Sequence, residues 1–209
     1  MNAFAGLIAG GARLITGVQV SWLDGMPAAG QAIYFANHTS HLDFVVLWSS
    51  LPAELRARTR PAAAADYWSH GFRRKLAVDV FNAVLVSRHE HNGDPGRAET
   101  AARETIERIA EEIGDRYSLI IFPEGTRGTG ETVAPFKSGL YYLCLRKPGI
   151  ALIPAYIENL NRILPKGEFL PVPFISRVRF GKTMFLEPSE PKREFLQRAR
   201  DAVCRLHGS

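Results

Sequence analysis

The chain has little of what would tie a protein to a special environment. Only two cysteines, Cys144 and Cys204, occur in 209 residues, and a chain of this length buries a substantial core without covalent staples. Cys144 sits in the apolar run "LYYLCL", which predicts a buried reduced thiol and a cytosolic setting. No internal repeat or low-complexity tract is present, so a solenoid and a disordered chain are both excluded. No apolar run is long enough to span a bilayer. The opening segment "MNAFAGLIAGGARLITGVQV" also reads poorly as an export signal: it lacks a basic start, Arg13 interrupts its apolar part, and no convincing small-x-small cleavage site follows.

What is there has the balance of an ordinary globular domain. A net charge of +5 favours an anionic partner: nucleic acid, a membrane surface or a phosphorylated substrate. Phe4, Leu7, Ile8, Leu14, Ile15 and Val18 share one helical face, which leaves two readings open, a first core helix or a helix lying in a membrane interface.

Along the chain, "VQVSWL", "AIYFA" (32–36), "AVLVS" (83–87), "YSLIIF" (117–122), "ALIPAYI" and "RVRFGKTMFL" read as strands. "HLDFVVLWSSL" reads as a helix ended by Pro52, and 95–114 as a helix with Pro near its start and a closing Gly. "FKSGLYYLCLRK" and "PKREFLQRARDAVCRL" read as helices, and "LPKGEFLPVPF" as a proline-rich loop. "RPAAAADYW" is strand by position and helix by alanine content. Strands alternating with helices predict one α/β domain, whose chemistry gathers where strands end.

"FANHTSHLDF" (35–44) places two histidines, two hydroxyls and an aspartate between two runs that want to be buried. Ser40-His41-Leu42-Asp43 fits a capping box, with Ser40 as the cap and Asp43 bonding back. That leaves His38 unexplained. With the cap between them the chain can fold back, so that Asp43 holds one imidazole nitrogen and leaves the other as an acceptor, the tautomer of a general base. The spacing alone is weak, because His89 and Asp94 repeat it in the polar turn "RHEHNGDPG".

Support comes from "FPEGTR" (122–127), which follows a buried strand. Pro123 and Gly125 fix an unusual backbone, and Glu124 and Arg127 are charges at the mouth of a sheet, where burial is costly without partners. Lys137 opens the next predicted helix, whose free N–H groups attract anions, and Arg88 ends "AVLVSR". His38, Arg88, Arg127 and Lys137 are expected to converge on one crevice, a base beside several cations.

"NHTSHLD" with "FPEGTR", in this order and separation, resembles the glycerolipid acyltransferases of the lysophosphatidic acid acyltransferase (PlsC-type) family. The likeness extends over about residues 30–186 and includes "VLVSR", "PFKSG", "ALIPAYIE", "NRILPKG" and "VRFG". It implies a single-domain α/β fold with a mixed, largely parallel central sheet flanked by helices: an N-terminal amphipathic helix over 1–18 and an acyltransferase domain over 19–209. It implies His38 as general base and Asp43 as its orienting partner. Arg88 and Arg127 would bind the acceptor's phosphate, Glu124, Gly125 and Thr126 would shape the acceptor site, and Lys137 would add to the anion pocket. The reaction implied is acyl transfer from acyl-CoA or acyl-ACP to a lysophospholipid hydroxyl, 1-acyl-sn-glycerol 3-phosphate first, with another lysolipid or glycerol 3-phosphate as the alternative acceptor. No cofactor, no metal and no nucleic acid are implied. The partners are the acyl thioester donor, acyl carrier protein where it carries that donor, the lysophospholipid and a membrane surface, with the protein at the cytoplasmic face, peripheral or monotopic. Two departures stand out: the block ending in Arg88 reads Val86-Ser87-Arg88 rather than Ile-Asp-Arg, and "AAAADYW" replaces a Lys-x-Glu-Leu segment.

Rival readings are a metal-dependent hydrolase, a nucleic-acid module and a non-catalytic lipid-binding protein. The histidine spacing in "HTSHLD" is wrong for a metallohydrolase, His89-Glu90-His91 lacks an obvious third ligand, and the basic residues are interspersed with acids in no nucleic-acid motif.

Overall fold

The computed structural model describes residues 3–27, 30–40, 42–65, 75–86, 95–159 and 175–208. The chain runs α1 (Ala3–Thr16), β1 (Gln19–Trp22), β2 (Ala32–Ala36), α2 (Asp43–Ser50), α3 (Ala53–Ala57), β3 (Thr59–Ala64), a π-helical turn (Leu76–Val80), β4 (Val84–Val86), α4 (Pro95–Ile113), β5 (Ser118–Ile121), α5 (Gly139–Arg146), β6 (Ala151–Glu158), β7 (Arg177–Phe180) and α6 (Lys192–Cys204). One seven-stranded sheet has the order β1-β7-β6-β2-β5-β3-β4. Every neighbouring pair is parallel except β6 and β7, so the sheet is mixed and largely parallel, with helices on both faces.

Strand β2 explains why its sequence is continuously apolar. Ala32, Tyr34 and Ala36 pack on one face with Phe44, Leu47 and Trp48 of α2. Ile33 and Phe35 pack on the other with residues of α4, α5 and α6. Both faces are covered, so neither alternate position can be polar. Burying Phe35 completely contributes about 1.5–3 kcal/mol. The ambiguous "RPAAAADYW" becomes β3 over Thr59–Ala64 because β5 and β4 pair with it on either side. Ladder bonds on both edges override the helix preference of alanine.

Three elements differ from the sequence reading. A short helix, α3, follows Pro52, and a π-helical turn precedes β4. The last predicted strand stops at Phe180. Leu152 N–H donates toward β7, to the Met184 carbonyl at 2.9 Å, so the nitrogen of Pro154, two residues on, faces the same edge and has nothing to donate. The pairing register slips by one there, from Ala155 opposite Phe180 to Leu152 opposite Met184, a bulge at the proline.

The N-terminal stripe does not occupy one environment. Ala5 and Ala9 are buried and Ile8 and Val18 are half-covered, whereas Leu7, Leu14 and Ile15 are 72%, 85% and 54% exposed. The helix sits on its alanines because small residues allow close approach to α2, and Leu7, Leu14 and Ile15 project outward. Arg13 donates from Nε to the Ser49 carbonyl at 2.6 Å, and Arg56 from Nη1 to the Leu51 carbonyl at 3.1 Å. These cations complement the negative end of α2. Among the described residues no helix is long and apolar enough to cross a membrane. Cys144 is buried as expected, and both cysteines are free.

Candidate active site

Strands β2 and β5 are neighbours, parallel and in register, with Phe35 opposite Ile121. The turn that leaves β2 and the loop that leaves β5 therefore open at the same edge of the sheet, in its middle. Adjacency of the two sequence motifs follows from this pairing alone. Asn37 secures the first exit: its amide donates to the Ile157 carbonyl at 2.9 Å, and its oxygen accepts the Ile157 N–H at 2.8 Å.

His38 Nδ1 lies 2.7 Å from Asp43 Oδ2. The same oxygen accepts the N–H groups of Thr39 at 2.6 Å and Ser40 at 2.9 Å. An oxygen that collects two obligate backbone donors is held as an acceptor, so the network assigns the imidazole proton to Nδ1 and leaves Nε2 with its lone pair. Asp43 is fully buried, and the imidazole is 15% exposed. The ring stacks on Phe122 from the end of β5, with centroids 4.4 Å apart and planes 18° apart, so its orientation is fixed from both sides. The capping box is partly realised. Asp43 bonds back to Ser40 N–H, while Ser40 Oγ accepts from Leu42 N–H at 3.3 Å and the helix begins at Asp43.

The loop after β5 opens with a tight turn. Gly125 N–H donates to the Phe122 carbonyl at 3.0 Å, with Pro second and Gly fourth, the preference of a type I turn. This turn sends Glu124 inward. Its carboxylate is buried, accepting His38 N–H at 2.6 Å on Oε1 and Ala134 N–H at 2.8 Å on Oε2. Gly128 N–H returns to the His38 carbonyl at 2.8 Å, and Lys137 N–H closes the loop on the Pro123 carbonyl at 2.8 Å. Both backbone groups of His38 are thus taken by the second motif. Gly125 has φ +71°, and a β-carbon there would lie 2.8–2.9 Å from Cδ, Cε and Nζ of Lys137. The lysine stem lies directly over the glycine.

Thr126, Arg127 and Lys137 are exposed on this loop. Among the described residues, the Arg127 and Lys137 side chains have no ionic partner. Helix α5 begins at Gly139, and the amide of Lys137 is already bonded within the loop, so Lys137 does not open a helix as its sequence suggested. Arg88 lies outside the described residues, two positions beyond the end of β4. His41, the His89–Asp94 match, His89-Glu90-His91, "NRILPKG" and the proline-rich loop also lie outside them.

Sequence reasoning overlooked four participants. Phe122 stands inside a motif noticed for its charges, and Asn37 inside one noticed for its histidines. The Ala134 amide carries no side-chain signal. Arg200, on α6, donates to the Val133 carbonyl from Nε at 2.9 Å and Nη2 at 2.6 Å, and nothing in its local sequence points to the site.

A His–Asp pair thus stands at the middle of a largely parallel sheet, braced by a buried glutamate from the neighbouring strand's loop. The family model described as Acyltransferase matches residues 17–158, and the chain belongs to that family. Its relatives include 1-acyl-sn-glycerol-3-phosphate acyltransferases and a taffazin of Dictyostelium discoideum. The 1-acyl-sn-glycerol-3-phosphate acyltransferase of Limnanthes alba is 28% identical over 175 residues, covering 76% of this chain and 56% of the relative. The Haemophilus influenzae enzyme of the same name is 36% identical over 145 residues, covering 63% of this chain and 52% of the relative. The chain spans about half the length of these curated relatives. The crystal structure of the 1-acyl-sn-glycerophosphate acyltransferase PlsC from Thermotoga maritima matches with a TM-score of 0.68 at 20% identity, over 98% of this chain and 80% of that one. That likeness is one of fold: a single-domain glycerolipid acyltransferase architecture.

Proposed function

We propose that this chain transfers a fatty acyl group from an acyl thioester, of coenzyme A or acyl carrier protein, to the free hydroxyl of 1-acyl-sn-glycerol 3-phosphate, giving phosphatidic acid. The observation that carries this reading is the 2.7 Å contact of His38 Nδ1 with a buried carboxylate, which leaves Nε2 as a base. Nε2 takes the acceptor's hydroxyl proton as that oxygen attacks the thioester carbonyl. The carbon–sulfur bond then breaks, and the imidazolium returns the proton to the departing thiolate. Asp43 holds the imidazolium in place meanwhile, a contribution on the order of 10²- to 10⁴-fold in rate. Arg127 and Lys137, exposed on the loop that binds His38 and without an ionic partner among the described residues, suit the acceptor's phosphate. Arg88 joins them by its place in the family motif. Held by its phosphate, the acceptor presents one hydroxyl to the base, which is catalysis by orientation. The Gly125 backbone and Thr126 line the same loop, while Glu124 acts on the protein's own amides.

Both substrates carry long acyl chains, and the protein meets them at a membrane surface. The outward Leu7, Leu14 and Ile15 of α1 and a net charge of +5 supply the two weak signals that reversible membrane binding requires.

The test is product analysis by mass spectrometry with labelled acyl thioester, offering lysophosphatidate, glycerol 3-phosphate and phosphate-free lysolipids in turn. Lysophosphatidate is expected to be acylated fastest, with activity lost in His38→Ala and retained in His89→Ala. Activity that survives His38→Ala and disappears in His89→Ala would overturn the assignment. Preference for a phosphate-free lysolipid would move the acceptor to another lipid class.

A further inference from the structure

The buried carboxylate of Glu124 has no cation within ion-pair reach among the described residues, a costly arrangement if nothing compensates it. One peptide group supplies the connection. The Val133–Ala134 peptide gives its N–H to Glu124 Oε2 at 2.8 Å. Its carbonyl, on the opposite side of the same trans plane, receives both Nε and Nη2 of Arg200, at 2.9 and 2.6 Å. A cation on the oxygen and an anion on the nitrogen polarise the peptide in the same sense, so each bond strengthens the other. Arg200 is delivered by α6, which is anchored through Phe195, Ala199 and Val203, all fully buried. That helix lies beyond the region matched by the family model, 17–158.

We propose that Arg200 is a positioning residue for acyl transfer: through one shared peptide it forms a relayed ion pair with Glu124, and so fixes the main chain of His38 from the C-terminal helix. This rests on the proposed reaction for its kinetic readout, but the linkage can be tested without it. The experiment compares wild type, Arg200→Met, Arg200→Lys, Glu124→Gln and the Arg200→Met/Glu124→Gln double variant, each first shown to be folded by thermal melting. Arg200→Met is expected to lower kcat about tenfold in the wild-type background and less than twofold in the Glu124→Gln background, because the two act as one unit. Arg200→Lys, which keeps the charge with a single-point donor, should recover most of the loss. Amide hydrogen exchange in the segment 125–137 should accelerate about tenfold in Arg200→Met. Equal losses of kcat in both backgrounds, or unchanged exchange in that segment, would overturn the relay. If Arg200→Met fails to fold, the Glu124→Gln exchange rates decide it: unchanged protection of 125–137 in that variant refutes the link. If no lysolipid is acylated by wild type, the proposed function fails alone and the exchange measurement still decides the relay.

Discussion

The turn after β2 and the loop after β5 leave adjacent parallel strands at the same edge, yet they solve opposite problems. The first spans only Asn37 to Asp43, and a single carboxylate oxygen gathers an imidazole and two amides. The second runs from Pro123 to Lys137, keeps the Glu124 carboxylate inside, and leaves Arg127 and Lys137 exposed, with no ionic partner among the described residues. The first turn is short and holds its imidazole in one tautomer and one orientation, with Oδ1 of Asp43 buried and free of hydrogen bonds among the described residues. In the proposed reaction a phosphate site keeps its cations uncommitted until the ligand arrives, which suits a long loop braced from within. Asp43 and Glu124 are both buried carboxylates, but one orients a side chain and the other holds a main chain.

The sharpest way to break this comparison is Asp43→Asn. An asparagine there can keep all three donors on its oxygen only by placing its N–H₂ where Asp43 Oδ1 is buried without a hydrogen-bond partner, and its neutral amide no longer stabilises an imidazolium. A fall in kcat on the order of 10²–10⁴ is expected, measured under saturating acceptor; a loss under threefold would show that the pair does no catalytic orienting. Glu124→Gln comes next, because one of its two amide partners then faces an N–H₂ group. Stability should drop by about 1–3 kcal/mol in urea titration, with kcat falling about tenfold. A change confined to the acceptor's KM would instead place Glu124 against the acceptor.

Smaller effects belong to the open loop. Gly125→Ala forces a left-handed backbone on a residue with a side chain, worth about 1–2 kcal/mol, and pushes the Lys137 stem aside. Its expected signature is a lower melting temperature with a raised KM for the acceptor and an unchanged KM for the thioester. Lys137→Ala should raise the acceptor's KM only about two- to fivefold, the scale of an exposed charge contact, and the difference should shrink in high salt. The smallest effect lies outside both regions. Burial, assisted by the nearby Glu190 carboxylate, pushes the Cys144 thiol up to about 12. An alkylating reagent at pH 8 should therefore leave Cys144 unmodified in the folded chain and acyl transfer unimpaired. Because the folded thiol titrates above its unfolded counterpart, its contribution to stability is complete at neutral pH and declines as pH climbs from about 8.5 toward 12. Denaturant midpoints taken across that window check the sign.

Much of this was legible in the sequence, for identifiable reasons. Strands β2 and β5 are covered on both faces, so they appear as unbroken apolar runs, and the polar residues that follow them mark the edge where chemistry collects. His38 and Asp43 were readable because five residues with a cap between them can fold back. What the sequence concealed is what tertiary packing decides. Periodicity announced a helical stripe in α1, but alanines, which barely register in such a pattern, took the buried side and left Leu7, Leu14 and Ile15 outside. The last strand looked continuous because the proline that interrupts it lies on its neighbour. Glu124 read as a charge in need of partners or a ligand, and the sequence could not choose, since a glutamate that binds two backbone amides from distant segments looks no different in one dimension.

Asn37 carries a consequence of its own. Strand β2 stops at Ala36, but the side-chain amide of the next residue reproduces both ladder bonds to Ile157, standing in for one more rung while the main chain is already veering away. The sheet thus outlasts its own backbone by a residue. The imidazole of His38 is therefore hung from a strand end that two side-chain bonds tie to its neighbour one residue past the last rung.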